Sequence, residues 1–195
     1  MAIRKILLYP EDEPGLRKIS EPLTGMNRQV RKLIRDLKDT LANDPRGVGL
    51  AAPQINVHKR AFVVRLGSSE DSPPEENPLI VIFNPVILAE GDVKRDFDGC
   101  LSFPGLYGKT KRPHYLNLSG LNERGEPFEK EFHDADAVMI HHEIDHLDGI
   151  LFIDHIEKME DLYRIIENED GMPMRVAVSD ALSRGDDSTI LNRHR

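Results

Sequence analysis

The sequence predicts an α+β protein: a compact single domain in which antiparallel or mixed strands pack around a central buried helix carrying an H-E-x-x-H motif. Three observations carry that reading. Runs rich in β-branched and aromatic residues fall at 60–66, 79–83, 114–121 and 127–133, before the helix rather than alternating with it. A later apolar run opens at Ala135 and reads as a buried helix. The 195 residues, 39% hydrophobic and 31% charged, suit one domain with its own core.

Taken in order, residues 3–22 read as extended chain broken by Pro10, Pro14 and Gly15. Asn27 fits the N-cap of a helix whose Val30, Leu33, Ile34, Leu37 and Leu41 keep helical spacing, ending near Asn43-Asp44-Pro45. Its lysines and arginines form a solvated face. In Gly47-Val48-Gly49-Leu50-Ala51-Ala52-Pro53-Gln54, two glycines and two alanines imply close approach of a backbone or ligand, or else a tight turn into a small-residue contact. The stretch makes a poor phosphate loop, because no Gly-Lys-Ser/Thr follows.

The strands at 60–66 and 79–83 flank a Ser/Glu/Pro-rich connector, 67–78, expected to be a mobile surface loop. Residues 84–88 continue the second strand after a break at Pro85. A hairpin joins 114–121 to 127–133 through Asn122-Glu123-Arg124-Gly125. Asp134 is expected to cap the motif helix and Gly149 to end it. A last helix is expected over about 154–168, with Ile156, Met159, Tyr163 and Ile166 on one face. The chain divides into a domain, 1–168, and a polar extension, 169–195, expected to be partly disordered.

A formal net charge of −8 argues against a general nucleic-acid binder, and no DNA partner is expected. No apolar stretch approaches the ~20 residues of a membrane span. The Ile6-Leu7-Leu8 run lacks the length of a signal peptide. Cys100 is the only cysteine, so an internal disulfide is ruled out, and the expected compartment is the cytoplasm.

The chemistry concentrates in His142-Glu143-Ile144-Asp145-His146. On a helix, residues four apart lie about 40° apart around the axis, so His142 and His146 can grip one metal ion. Glu143, about 100° round from His142, can handle protons on an activated water. Cys100, in Asp98-Gly99-Cys100-Leu101-Ser102, is either a small buried hydrophobe or the third ligand. A thiolate with two imidazoles leaves a tetrahedral position open, as in catalytic sites.

Three segments together, Gly47 through Gln54, Gly99-Cys100-Leu101-Ser102 and His142 through Gly149, resemble the signature motifs of peptide deformylases in their usual order. The resemblance covers roughly residues 3–156. It implies a compact α+β metallohydrolase that removes the formyl group from N-formylmethionyl nascent peptides, releasing formate. It implies Fe2+ as the usual metal, one per chain, with Zn2+, Ni2+ or Co2+ able to substitute. A monomer and a transient ribosome contact are expected.

Carried over by position, Cys100, His142 and His146 hold the metal and Glu143 is general base and acid. The side-chain amide of Gln54 and the backbone N–H of Leu101 face the developing oxyanion. Backbone at Val48, Gly49 and Gly99 pairs with the peptide as an added strand, while Val48, Val138, Met139 and His142 line the methionine pocket. Two positions depart from the family pattern: His141 stands where the family usually has Gln, and Asp98 where it usually has Glu. The same likeness pairs Asp98 with Arg112, and relatives often carry charged or bulkier residues in place of Tyr107 and Gly108. Two rival functions remain at the level of sequence. One is a zinc endopeptidase taking a third ligand such as Glu167 from a later helix, since Phe152 stands where that motif's extension has His. The other is an inactive deformylase-like binding protein.

Overall fold

The structure, a computed structural model, describes residues 3–45, 47–67, 77–167 and 172–179. A short helix α1 (Glu13–Leu16) interrupts the opening segment expected to be extended. Pro14 in its first turn lacks the N–H that the turn would leave unbonded anyway. Helix α2 (Arg28–Ala42) starts where Asn27 Oδ1 accepts from Gln29 N and Val30 N, at 2.9 and 3.0 Å, and stops at Asn43. Its Val30, Leu33, Ile34, Leu37 and Leu41 are buried, as their spacing requires.

Seven strands form one sheet: β1 (Gly49–Ala51), β2 (Ala61–Arg65), β3 (Leu79–Gly99), β4 (Leu106–Leu121), β5 (Pro127–His133), β6 (Leu162–Glu167) and β7 (Pro173–Ala177). Their order is β1-β2-β3-β4-β6-β7, with β5 also on β4. Every pairing between named strands is antiparallel, so the mixed alternative does not occur among them. Strand β2 is buried along its length because both its faces are covered. Ala61 and Val63 pack toward α2, while Phe62 and Val64 pack with helix α3 (Asp134–Leu147).

Strands β3 and β4 are longer than the sequence suggested. The break at Pro85 is a bulge rather than an end: the register slips between Phe83 and Val86, and Asn84 takes a φ of 46°. Asparagine tolerates that conformation, and its side chain accepts from Leu23 N and donates to Leu23 O, both at 2.8 Å. Strand β4 pairs with β5 through Tyr115–Leu121 and with β6 through Leu106–Gly108. The Lys94–Gly99 part of β3 lies beyond the reach of β2, which pairs only with Leu79–Phe83.

The helix expected over 154–168 is absent from its described part. Two 3-10 turns, Phe152–His155 and Met159–Asp161, lead instead into β6. The exposed edge of β4 at Leu106–Gly108 offers backbone partners that outweigh a weak helical pattern. Within the extension expected to be disordered, residues 173–177 form β7 on β6, and Val178 joins a cluster with Leu106, Phe152 and Leu162. The connector at 68–76 and residues 180–195 lie outside the described residues. Helix α3 is capped by His133 rather than Asp134, whose φ of 49° makes it the bend into the helix. Gly149, at φ 73°, lies just past its end.

Candidate metal centre and active-site cleft

Helix α3 carries its chemistry on a stretch buried all round, from His142 to Leu147. The turn that follows β3 brings Cys100 against it. Cys100 Sγ lies 3.2 Å from His146 Nε2, the rings of His142 and His146 are 4.9 Å apart, and the ligand atoms of all three residues lie within 4.8 Å of one another. One soft thiolate and two imidazoles at this spacing fit a transition-metal ion with a position to spare. His146 is held well below the usual histidine range by burial and by the neighbouring His142, which favours the neutral, ligating imidazole.

A second layer orients these ligands. Asp98 Oδ1 lies 2.8 Å from His142 Nδ1, close but misaligned for a hydrogen bond. This leaves His142 Nε2 for a metal. Asp98 Oδ2 accepts from Arg112 Nε and Nη2, at 3.0 and 2.8 Å, and from Thr110 Oγ1 at 3.2 Å. Burial alone would raise the Asp98 carboxyl, but His142 and Arg112 together hold it far below the usual range. The pairing of Asp98 with Arg112 is thus direct and bidentate on the arginine side.

Arg112 Nη1 also donates to Asp145 and, at 2.8 Å, to His141 Nδ1. His155 Nε2 lies 2.8 Å from Asp145 Oδ2. His141 is therefore outside the three-ligand group and belongs to the arginine cluster. Sequence reasoning missed Asp145 and His155, because contacts 33 residues apart (Arg112 to Asp145) and 10 apart across a turn (His155 to Asp145) leave no local pattern.

Glu143 is 3% exposed, and its Oε2 has no hydrogen-bond partner among the described residues. Burial pushes its carboxyl up to about 7, with Asp98 adding to the rise and His142 and Arg112 opposing it. Gly49 packs on it so tightly that a Cβ there would overlap Glu143 Oε1, which gives the glycine-rich stretch its reason. Gln54 is fixed by the bond from Ala51 N to its Oε1 at 2.8 Å; its Nε2 donates to Ser102 Oγ at 3.1 Å and to Cys100 Sγ at 3.3 Å. A cleft of about 1010 Å³ joins all of these: Val48, Gly49, Gln54, Gly99, Cys100, Leu101, Val138, Met139, His142 and Glu143 line it. His146, buried behind, completes the ligand group.

A buried acid beside a Cys/His/His group that could hold a metal, opening on a cleft, is an arrangement suited to hydrolysis. The model of the family described as polypeptide deformylase matches residues 3–162. The peptide deformylase 1 of Ralstonia nicotianae is 37% identical over 82% of this chain and 90% of its own length. That of Bacillus subtilis is 37% identical over 81% and 92%. Among solved structures, a deformylase from Legionella pneumophila superposes with a TM-score of 0.70 at 38% identity, covering 80% of this chain and 87% of that one. One from Thermotoga maritima reaches a TM-score of 0.72 at 32% identity, over 81% and 100%. A third, from Acinetobacter baumannii, is described as Met-Ala-Ser bound, at 29% identity and a TM-score of 0.70, over 80% and 99%. The chain belongs to the polypeptide deformylase family and is a hydrolase. The endopeptidase alternative loses its footing, since Glu167 ends a strand rather than sitting on a later helix.

Proposed function

We propose that this chain removes the formyl group from N-formylmethionyl peptides, using a metal ion held by Cys100, His142 and His146. The observation that carries the proposal is Glu143: a buried carboxylate with an unpartnered oxygen, adjacent in sequence to a candidate ligand and opening on the cleft. An ion bound there supplies Lewis-acid activation of water and of the formyl carbonyl; we propose ferrous iron, with zinc, nickel or cobalt able to substitute.

Glu143, held near neutrality by burial, takes a proton from the attacking water and delivers it to the departing amine. Gln54 Nε2 and the Leu101 N–H face the oxygen that gains charge, and each such donor is worth about 2.7–4 kcal/mol of barrier. Gln54 already donates to Ser102 and Cys100, so it engages the oxyanion by exchanging one of these bonds in a fixed orientation. The peptide adds as a strand to the backbone of Val48, Gly49 and Gly99, with the methionine side chain between Val48, Val138, Met139 and His142. The Acinetobacter relative described as Met-Ala-Ser bound supports a short methionyl peptide as the ligand.

The test is formate release from formyl-Met-Ala-Ser by protein purified without oxygen, paired with metal analysis. Turnover with iron bound is expected, and Glu143→Ala keeps the metal while losing about 10²–10⁴-fold in rate. Failure to release formate after loading with ferrous, nickel and cobalt ions in turn refutes the reading and favours an inactive binding protein.

A further inference from the structure

The buried side chain of Arg112 holds its guanidinium between two carboxylates. Nε and Nη2 donate to Asp98 Oδ2, which leaves Asp98 Oδ1 against His142 Nδ1, 2.8 Å away. Nη1 donates to Asp145 Oδ2 on the other side. The place of the guanidinium therefore decides where Asp98 aims, and Asp145 is its second anchor. Charge-assisted bonds of this kind owe their strength to held geometry.

His155 stands at the outer end of this series. It closes the 3-10 turn Phe152–His155, and its Nε2 lies 2.8 Å from Asp145 Oδ2. Arg112 and His155 thus reach one carboxylate oxygen from two elements, β4 and the turn after α3, and together they stop it rotating. The turn is anchored without the histidine's help. Phe152 is buried in the core, Asp154 Oδ2 accepts from Leu151 N at 2.9 Å, and Asp154 Oδ1 accepts from Arg17 Nη2 at 3.0 Å. His155 is therefore a fixed post against which Asp145 rests. Its side chain is 29% exposed, so the series runs from the surface to the candidate ligands.

Resting on the metal-binding reading above, we infer that His155 is a positioning residue for the Cys100, His142 and His146 group, acting through Asp145, Arg112 and Asp98. Without the bond to His155 Nε2, Asp145 is free to turn and Arg112 Nη1 loses a fixed partner. The guanidinium can then slide along Asp98 Oδ2, and the rigid carboxylate carries that movement to the oxygen facing His142. The imidazole keeps its identity and loses its aim. Such supports act on affinity, because a ligand that must be ordered at the moment of binding holds its ion less tightly.

The experiment titrates cobalt into the full chain and follows the thiolate-to-cobalt absorption that Cys100 would give. His155→Phe keeps a ring and removes the donor, and it is expected to weaken cobalt affinity about three- to tenfold, less than loss of a residue that touches a ligand directly. His155→Gln, which offers an amide N–H to Asp145, restores most of that affinity. In an Asp145→Ala background His155→Phe is expected to cost nothing further, since the path it acts through is already cut. Wild-type affinity in His155→Phe overturns the inference, as does a loss that His155→Gln leaves unrestored or that adds in full to Asp145→Ala. Should Asp145→Ala fail to fold, the two variants of His155 decide alone. A wild type that binds no cobalt refutes the metal reading itself, whereas binding indifferent to residue 155 refutes only this inference.

Discussion

Gly49 sits directly against Glu143 in the cleft. A methyl group at position 49 has no room beside Glu143 Oε1, so Gly49→Ala must displace the carboxylate. Misplacing a reacting group by about 1 Å can cost about 10²-fold, and a loss of that order in kcat is expected, with metal content unchanged. Steady-state kinetics alongside metal analysis checks it; wild-type kcat in the variant would contradict the geometry. Asp98 and Arg112 act as one unit on His142. Removing either is expected to weaken metal affinity about 10–100-fold, and removing both to cost no more than removing one. Metal titration of Asp98→Ala, Arg112→Ala and the double variant decides this, and additive losses would mean the two act separately.

At the level of elements, α2 is set by its cap. Asn27 satisfies two backbone N–H groups, so Asn27→Ala is expected to lower stability by about 1 kcal/mol while leaving the distant metal group intact. Urea denaturation measures it, and an unchanged midpoint would deny the cap its role. This helix was legible in the sequence because both its cap and its apolar spacing are local. The clustering of Cys100, His142 and His146 was legible for a similar reason, since H-E-x-x-H puts two histidines one turn apart and the chain offers a single cysteine. Strand β6 was not: Tyr163 and Ile166 belong to a spacing that mimics a helical face, and what starts the strand instead is the edge of β4, over 50 residues earlier in the chain. The same holds for His155, whose partner Asp145 shows itself only once the turn after α3 has folded back.

Across the molecule, acid sensitivity should arise partly from an anchor outside the Cys/His/His group. Asp36 on α2 is 3% exposed and pairs with Lys32 at 2.6 Å and with Arg4 at 2.9 Å, tying the opening segment to the helix. Burial raises its carboxyl, but the two cations prevail and hold it below its ordinary value of 3.8. A depressed folded-state value adds stability above the unfolded value and loses it as pH falls through the folded one. Asp36→Asn is therefore expected to be less stable than wild type at neutral pH, with the gap closing below about pH 3.8. Thermal melts across pH 2.5–7 follow it; a gap independent of pH would assign the loss to packing instead. No helix among the described residues is long and apolar enough to cross a membrane.

Cys100 and His146 stand 46 residues apart in the chain, on opposite sides of the β4–β5 hairpin. An ion gripping both staples that whole excursion shut. By the loop-closure relation used for disulfides, a tie of this span removes about 4 kcal/mol of chain entropy from the unfolded state. The chain has no second cysteine with which to make such a tie covalently. An ion held there would act as a removable rivet, and the protein that lost it would be looser.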